Sequence, residues 1–151
     1  MKLSNKSRYA IQAVFDLAFH AEGSASQVKE ISERQRIPPR FLEQVFQDLR
    51  RAGLVRSKRG PKGGYQLAHR AADIRLGDVV RAVDGPVALA QPEPDAAALN
   101  TTSVQVSQAV LSEVAGQIEA CMDAVSLSDM CDKARRLGLR AHPAAPYVYS
   151  I

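Results

Sequence analysis

The sequence predicts a mostly α-helical chain with one small β-hairpin: a compact N-terminal unit followed by a long helix. Three observations point there. Apolar residues recur at helical spacing over most of the 151 residues, only residues 54–68 read as two short strands around a Gly/Pro-rich turn, and basic charge is concentrated in the N-terminal part. From Met1 to Asp84 there are 16 Lys/Arg against 9 Asp/Glu; from Gly85 to Ile151 there are 4 against 7. Such asymmetry suggests a polyanion-binding module joined to a segment with another task. Hydrophobic residues make up 46% of the chain and aromatics only 5%, so the core must be built mostly from Ala, Val, Leu and Ile.

The elements follow in order. From Asn5 to about Glu22, Ala10, Val14, Leu17, Ala18 and Ala21 keep a helical period, with Ser4 or Asn5 as N-cap and Gly23 as a stop. Ser26 opens a short second helix, with Val28 and Ile31 on one face, that ends near Gln35; Arg36-Ile37-Pro38 is the turn. Pro39 occupies the first helical position of the next helix, and Phe41, Leu42, Val45, Phe46 and Leu49 form its apolar stripe up to Ala52-Gly53. Its other face carries Arg40, Glu43, Gln44, Gln47, Arg50 and Arg51. Two short helices around a tight turn, the second polar on one face, make a helix-turn-helix.

Leu54 to Lys58 then reads as a strand, RGPKGG as a turn and Tyr65 to Ala68 as the return strand. A helix-turn-helix followed by a hairpin is the order of a winged helix. A helix from Leu76 to Val83 closes this domain, residues 1–85, and Asp84-Gly85-Pro86 breaks it. Residues 86–103 hold three prolines and no clear period, and read as a loop. Residues 104–137 form the second unit. Leu111, Val114, Ile118, Cys121 and Val125 advance by 3, 4, 3 and 4, a heptad-like seam on a helix from about Thr102 to Ala124. That stripe must be buried, and a second copy of the chain is the partner expected. Ser126 with Asp129 resembles a capping box for a last helix through Leu137, before the tail 138–151.

The chemistry favours nucleic acid. A phosphate-binding Walker loop ends in Gly-Lys-Ser/Thr and feeds a helix, whereas Lys62 is followed by Gly63-Gly64-Tyr65 and a strand. As a wing, the same stretch offers glycine amides to phosphates while Arg59 enters a narrow minor groove and Lys58 and Lys62 release counterions. Arg40, Glu43, Gln44 and Gln47 are the side-chain types that read base edges, although in isolation such a row is also what a solvated helix face looks like. Arg50, Arg51 and Arg56 hold phosphates or keep the domain soluble.

An enzyme is not expected. His20, His69 and His142 lie in separate segments and read as surface residues, and no Ser/His/Asp or paired-carboxylate grouping is discernible. The two cysteines, Cys121 and Cys131, fit neither a disulfide framework nor a zinc spacing. The N-terminus lacks a signal-peptide core and no run approaches about 18 apolar residues, so the expected location is the cytoplasm, away from membranes.

MKLSNKSRYAIQAVFDLA, EISERQRIPPRFLEQVFQDLRRAGLVRSKRGPKGGYQLA and IRLGDVVRAVDGP strongly resemble the Rrf2 family of bacterial transcription regulators, which includes iron-sulfur cluster regulators. The resemblance is nearly continuous over residues 1–86 and thereafter lies in layout, through the long helix and SLSDM. It implies a homodimeric regulator with winged domains set on crossed long helices and bound to a palindromic operator in double-stranded DNA; the action expected of it is repression. By the same resemblance Glu43 and Arg59 read bases, and Arg40, Gln44, Gly60 and Tyr65 lie close to the DNA. Pro61, in the wing turn, is counted with the DNA-binding residues. Pro39-Arg40 departs from the small or hydroxylated residues often found at that turn.

The sensory half departs further. Many members hold a [2Fe-2S] or [4Fe-4S] cluster on three closely spaced cysteines before or at the start of the long helix, at the position of the loop 86–103. AQPEPDAAALNTTSVQ contains none, so no cluster, no other cofactor and no metal is expected. Cys121 on the seam reads as a small buried apolar residue; the alternative is a thiol switch in which oxidation of Cys121 or Cys131 releases DNA. Control by docking of a protein partner is the other alternative, so the effector is left open between a small molecule and a protein.

Overall fold

In the computed structural model, residues 2–90 and 102–142 are described. The chain runs α1 (Asn5–His20), α2 (Val28–Gln35), α3 (Pro39–Arg51), β1 (Val55–Lys58), β2 (Gly64–Leu67), a 3-10 turn (Ala71–Asp73), α4 (Leu76–Asp84), α5 (Thr102–Asp123) and α6 (Leu127–Arg136). The fold is a winged helix-turn-helix with a long helix beyond it. The expected loop falls outside the described residues over 91–101, and so does the tail over 143–151.

Local chemistry accounts for most boundaries. Ser4 caps α1, its Oγ accepting from the Ser7 amide at 2.9 Å. The helix ends at His20, two residues before the predicted end, because Glu22 (φ 45°) and Gly23 (φ 85°) turn left-handed. Arg36, also left-handed at φ 55°, stops α2. Pro39 sits in the first turn of α3, as its fixed φ requires.

One start differs from expectation. The N-cap of α2 is Gln27, not Ser26. Ser26 is instead extended and exchanges both backbone hydrogen bonds with Tyr65, each 2.9 Å, which adds a one-residue third strand to the hairpin. Long-range pairing has taken a residue that local sequence assigns to a cap.

The core gathers around α1. Ala10, Ala13, Val14 and Leu17 are buried against Leu42, Val45, Phe46 and Leu49 of α3 and Val79 of α4. Alanines on α1 leave little side chain at the contact, so its neighbours can approach closely. Leu127 of α6 belongs to the same cluster, so α6 packs onto the N-terminal unit. Leu76 N donates to Val125 O (2.9 Å) and Leu127 N to Ile74 O (3.0 Å), while Ser126 and Asp129 form the expected capping box.

A polar knot is buried within this core. The Asp16 carboxylate is wholly inaccessible and accepts from Arg34 Nε (3.0 Å), Arg34 Nη2 (2.7 Å) and Gln35 Nε2 (2.9 Å). Three donors on α2 side chains therefore fix that helix against α1. Nearby, His20 is buried rather than at the surface, correcting the expectation for that histidine. Its Nδ1 accepts from the His142 amide at 2.9 Å, and the two imidazoles stack at 5.7 Å. Burial pushes the His20 pKa below the ordinary histidine value; the Asp16 carboxylate opposes this, while Arg34 and His142 add to it.

α5 leans on α4. Arg81 grips Asp123 through Nη2 (2.7 Å) and Nη1 (3.2 Å), and Glu119 accepts from the Val87 amide at 2.9 Å. Along the predicted seam, Leu111 and Val114 are exposed, together with Val106 and Val110. Ile118, by contrast, lines a groove against Val80 of its own α4. The heptad pattern thus divides between contacts inside the chain and an uncovered stripe. Among the described residues no helix is long and apolar enough to cross a membrane.

Candidate nucleic-acid interface

Two structures, α3 and the β1–β2 hairpin, carry the side chains singled out by sequence. α3 buries Leu42, Val45, Phe46 and Leu49, which lie on one side of the helix. The opposite side therefore turns Arg40, Glu43, Gln44, Gln47, Arg50 and Arg51 into solvent, where all six are exposed. Apart from Arg51, which meets Asp48 Oδ1 at 3.3 Å, none of these side chains has a hydrogen bond or ion pair among the described residues. Lys6 of α1 reaches the same Asp48 carboxylate. Asp48 thus offsets positive charge on the α1 flank.

The hairpin pairs Val55 with Leu67, Arg56 with Gln66, Ser57 with Tyr65 and Lys58 with Gly64. Its tip is a tight turn over Gly60-Pro61-Lys62-Gly63, closed by a 2.8 Å bond from the Gly63 amide to Gly60 O. Arg56, Lys58, Arg59, Gly60, Pro61 and Lys62 are all exposed, so four cations crowd one short ribbon. At the root of the wing a side chain cannot be accommodated. Gly64 has φ +139°, and a Cβ there would stand 2.2 Å from Ser26 O.

Tyr65 is half-buried, and its ring stacks on Phe46 of α3 at 4.4 Å and 5° between planes. Placed there it braces the wing against the core. The ring therefore connects the two candidate surfaces, and Ser26 connects the hairpin to α2. The whole set, α2–α3 and the wing, is joined through these contacts.

Phe41, expected in the apolar stripe of α3, is 51% exposed. Projected at about 100° per residue, it lies roughly 90° from the centre of that stripe, which is a signal the sequence did contain. It flanks a groove of about 330 Å³ with Asn5, Lys6, Tyr9, Gln44 and Val45.

The cysteines lie away from this surface. Cys121 is exposed on α5, not buried as the seam implied. Cys131 is buried on α6 beside Phe19 and Ala134. Burial raises the Cys131 thiol pKa above the ordinary value; Arg135 opposes this and Asp132 reinforces it. Among the described residues no group of three or more His, Cys, Asp or Glu is placed to hold a metal ion.

Comparison with known proteins agrees with this architecture. The IscR transcriptional regulator of Vibrio atlanticus is 52% identical over 87 residues, covering 58% of this chain and 50% of the relative. The chain therefore spans about half the length of such relatives. Among solved structures, T. potens IscR superposes with a TM-score of 0.74 at 35% identity, covering 99% of this chain and 96% of that one. CymR of B. subtilis, a global cysteine regulator, gives 0.72 at 28% identity, covering 88% and 98%. The Rrf2 family model, described as an iron-dependent transcriptional regulator, matches residues 3–133, and the chain belongs to that family.

Proposed function

We propose that this chain is a homodimeric transcription regulator that binds a palindromic operator in double-stranded DNA and represses from it. The observation that carries this reading is the set of exposed side chains Arg40, Glu43, Gln44 and Gln47 on α3, without hydrogen-bond or ion-pair partners among the described residues, set beside a wing with four exposed cations. Arg40, Glu43, Gln44 and Gln47 supply donors and an acceptor for base edges: guanidinium for guanine, amide for adenine, carboxylate for the cytosine amine. Arg59 enters the adjoining minor groove, and Lys58 and Lys62 hold phosphates. Arg50, Arg51 and Arg56 contribute charge that strengthens binding without selecting sequence.

The stripe of Val106, Val110, Leu111 and Val114 on α5 supplies the dimer contact. An isologous pairing of this stripe presents two reading heads with two-fold symmetry, which a palindrome matches. The regulator acts in the cytoplasm and is not an enzyme.

The residues of this chain do not fit sensing through an iron-sulfur cluster. The chain has two cysteines, one exposed on α5 and one buried on α6, and none in residues 86–104. A thiolate-ligated cluster needs a closely spaced set that this donor inventory lacks.

The test is selection of duplexes from a random-sequence library, followed by gel-shift at several salt concentrations. Selected duplexes should bind with an affinity that falls steeply with salt. Arg59→Ala and Glu43→Ala should each relax sequence preference and cost about 1–3 kcal/mol, whereas Arg51→Ala should weaken all duplexes alike. Equal effects from all three variants would overturn the assignment of base readers, and recovery of no duplex would overturn the function.

A further inference from the structure

We propose that Phe41 is a specificity-determining residue that packs its ring against the C5 methyl group of a thymine in the major groove; the inference rests on the DNA-binding reading above. Four phenylalanines occur in the chain, and Phe15, Phe19 and Phe46 are buried or half-buried. Phe41 alone stands out, 51% exposed, in the first turn of α3. The N-terminal residues of a recognition helix are those that come nearest to base edges.

Its surroundings direct the ring. Phe41 meets Tyr9 of α1 at 6.0 Å between centroids, with the rings tilted by 48°, so one flank is supported, and the ring lines the groove between Lys6 of α1 and Gln44 of α3. Gln44, one turn on, lines the same groove and is exposed. An amide and a phenyl ring side by side suit two neighbouring features of the major groove, a hydrogen-bonding edge and an apolar methyl. A phenyl ring has no strong hydrogen-bonding group, and thymine is the base that presents a methyl there. Phe41 therefore selects thymine over cytosine at one position of each half-site.

Replacing thymine by uracil removes that methyl and leaves every Watson–Crick group in place. Duplexes selected by the wild-type protein are rebuilt with uracil at each thymine in turn, and binding is measured for the wild-type, Phe41→Ala and Phe41→Leu proteins. The wild type should lose about fourfold in affinity at one thymine per half-site, from the transfer of one methyl group, and about sixteenfold when both half-sites are changed. Phe41→Ala should bind the thymine and uracil duplexes equally, while Phe41→Leu should retain the discrimination. Circular dichroism of both variants verifies that they fold.

Wild-type binding indifferent to uracil at every position overturns the inference, as does undiminished discrimination by Phe41→Ala. A uniform loss in Phe41→Ala with the uracil effect intact marks the ring as a backbone contact and overturns it equally. Failure to select any duplex overturns the DNA-binding reading itself and this inference with it, an outcome distinct from the others.

Discussion

Replacing Arg34 by alanine should destabilise the protein by about 3 kcal/mol, a value that follows from the surroundings of Asp16. The carboxylate is fully buried and has three donors, two of them on Arg34. Removing one partner of a buried ion pair costs about 3–5 kcal/mol, because the remaining charge stays in a poor solvent. Two features place this case at the lower end. Gln35 Nε2 stays bonded at 2.9 Å, and the Arg34 side chain is 19% exposed, so water can enter the space it vacates. Arg34→Lys keeps the charge but loses the planar fork, and should cost about 1 kcal/mol. Urea unfolding at fixed protomer concentration reads both values, and Arg34→Ala should lower the melting temperature by roughly 6–12 °C in a chain of this size. Adding Asp16→Asn to Arg34→Ala removes the stranded charge, so the double variant should be less destabilised than the sum of its parts. A loss below about 1 kcal/mol in Arg34→Ala, with unchanged denaturant slope, would refute the idea that this knot secures α2.

Other expectations concern the tail, the thiols and the long helix. Because burial lowers the His20 pKa, the unfolded chain binds more protons at mildly acidic pH, so stability is complete above about pH 6.5 and falls as pH drops towards the lowered native value. His20→Gln should flatten that part of the urea-midpoint profile between pH 7.5 and 5.5, and a profile parallel to wild type would show that His20 does not contribute to it. Cys131, buried and with a raised thiol pKa, should resist alkylation in the native protein and react only on unfolding, as read by peptide mass spectrometry; rapid native labelling of Cys131 would contradict its placement. If the α5 stripe forms the dimer contact proposed above, Val110→Glu should yield a monomer in light scattering, and an unchanged dimer would remove the stripe from that proposal.

Features set by near neighbours were legible in the sequence. The Ser4 cap, Pro39 in the first turn of α3, the Ser126–Asp129 box and the glycine-rich turn each depend on residues within a few positions. The polar row on α3 was legible for the same reason, since helical period alone fixes which residues share a side. What escaped depends on distant partners. Ser26 looks like a cap until Tyr65 pairs with it, and His20 looks like a surface residue until the amide of His142, 122 positions later, closes over it. The Asp16 knot joins residues 18 and 19 positions apart on two helices, and no local pattern marks it. The seam on α5 had the correct spacing, but spacing does not say that α4 of the same chain takes up Ile118 and leaves Leu111 and Val114 bare.

The bracing of the wing has a consequence for control. Ser26 pairs with the hairpin at its root and Tyr65 lies flat on Phe46, so wing and α3 are fastened to the same core. In the regulator proposed above, a signal arriving at the far half would have little purchase on the geometry within one reading head. In the dimer proposed above, what it could alter is the distance and angle between two heads held at the ends of paired long helices, which would have to match successive major grooves about 34 Å apart. Regulation of that proposed dimer would work like the setting of a pair of callipers, with rigid jaws and an adjustable span.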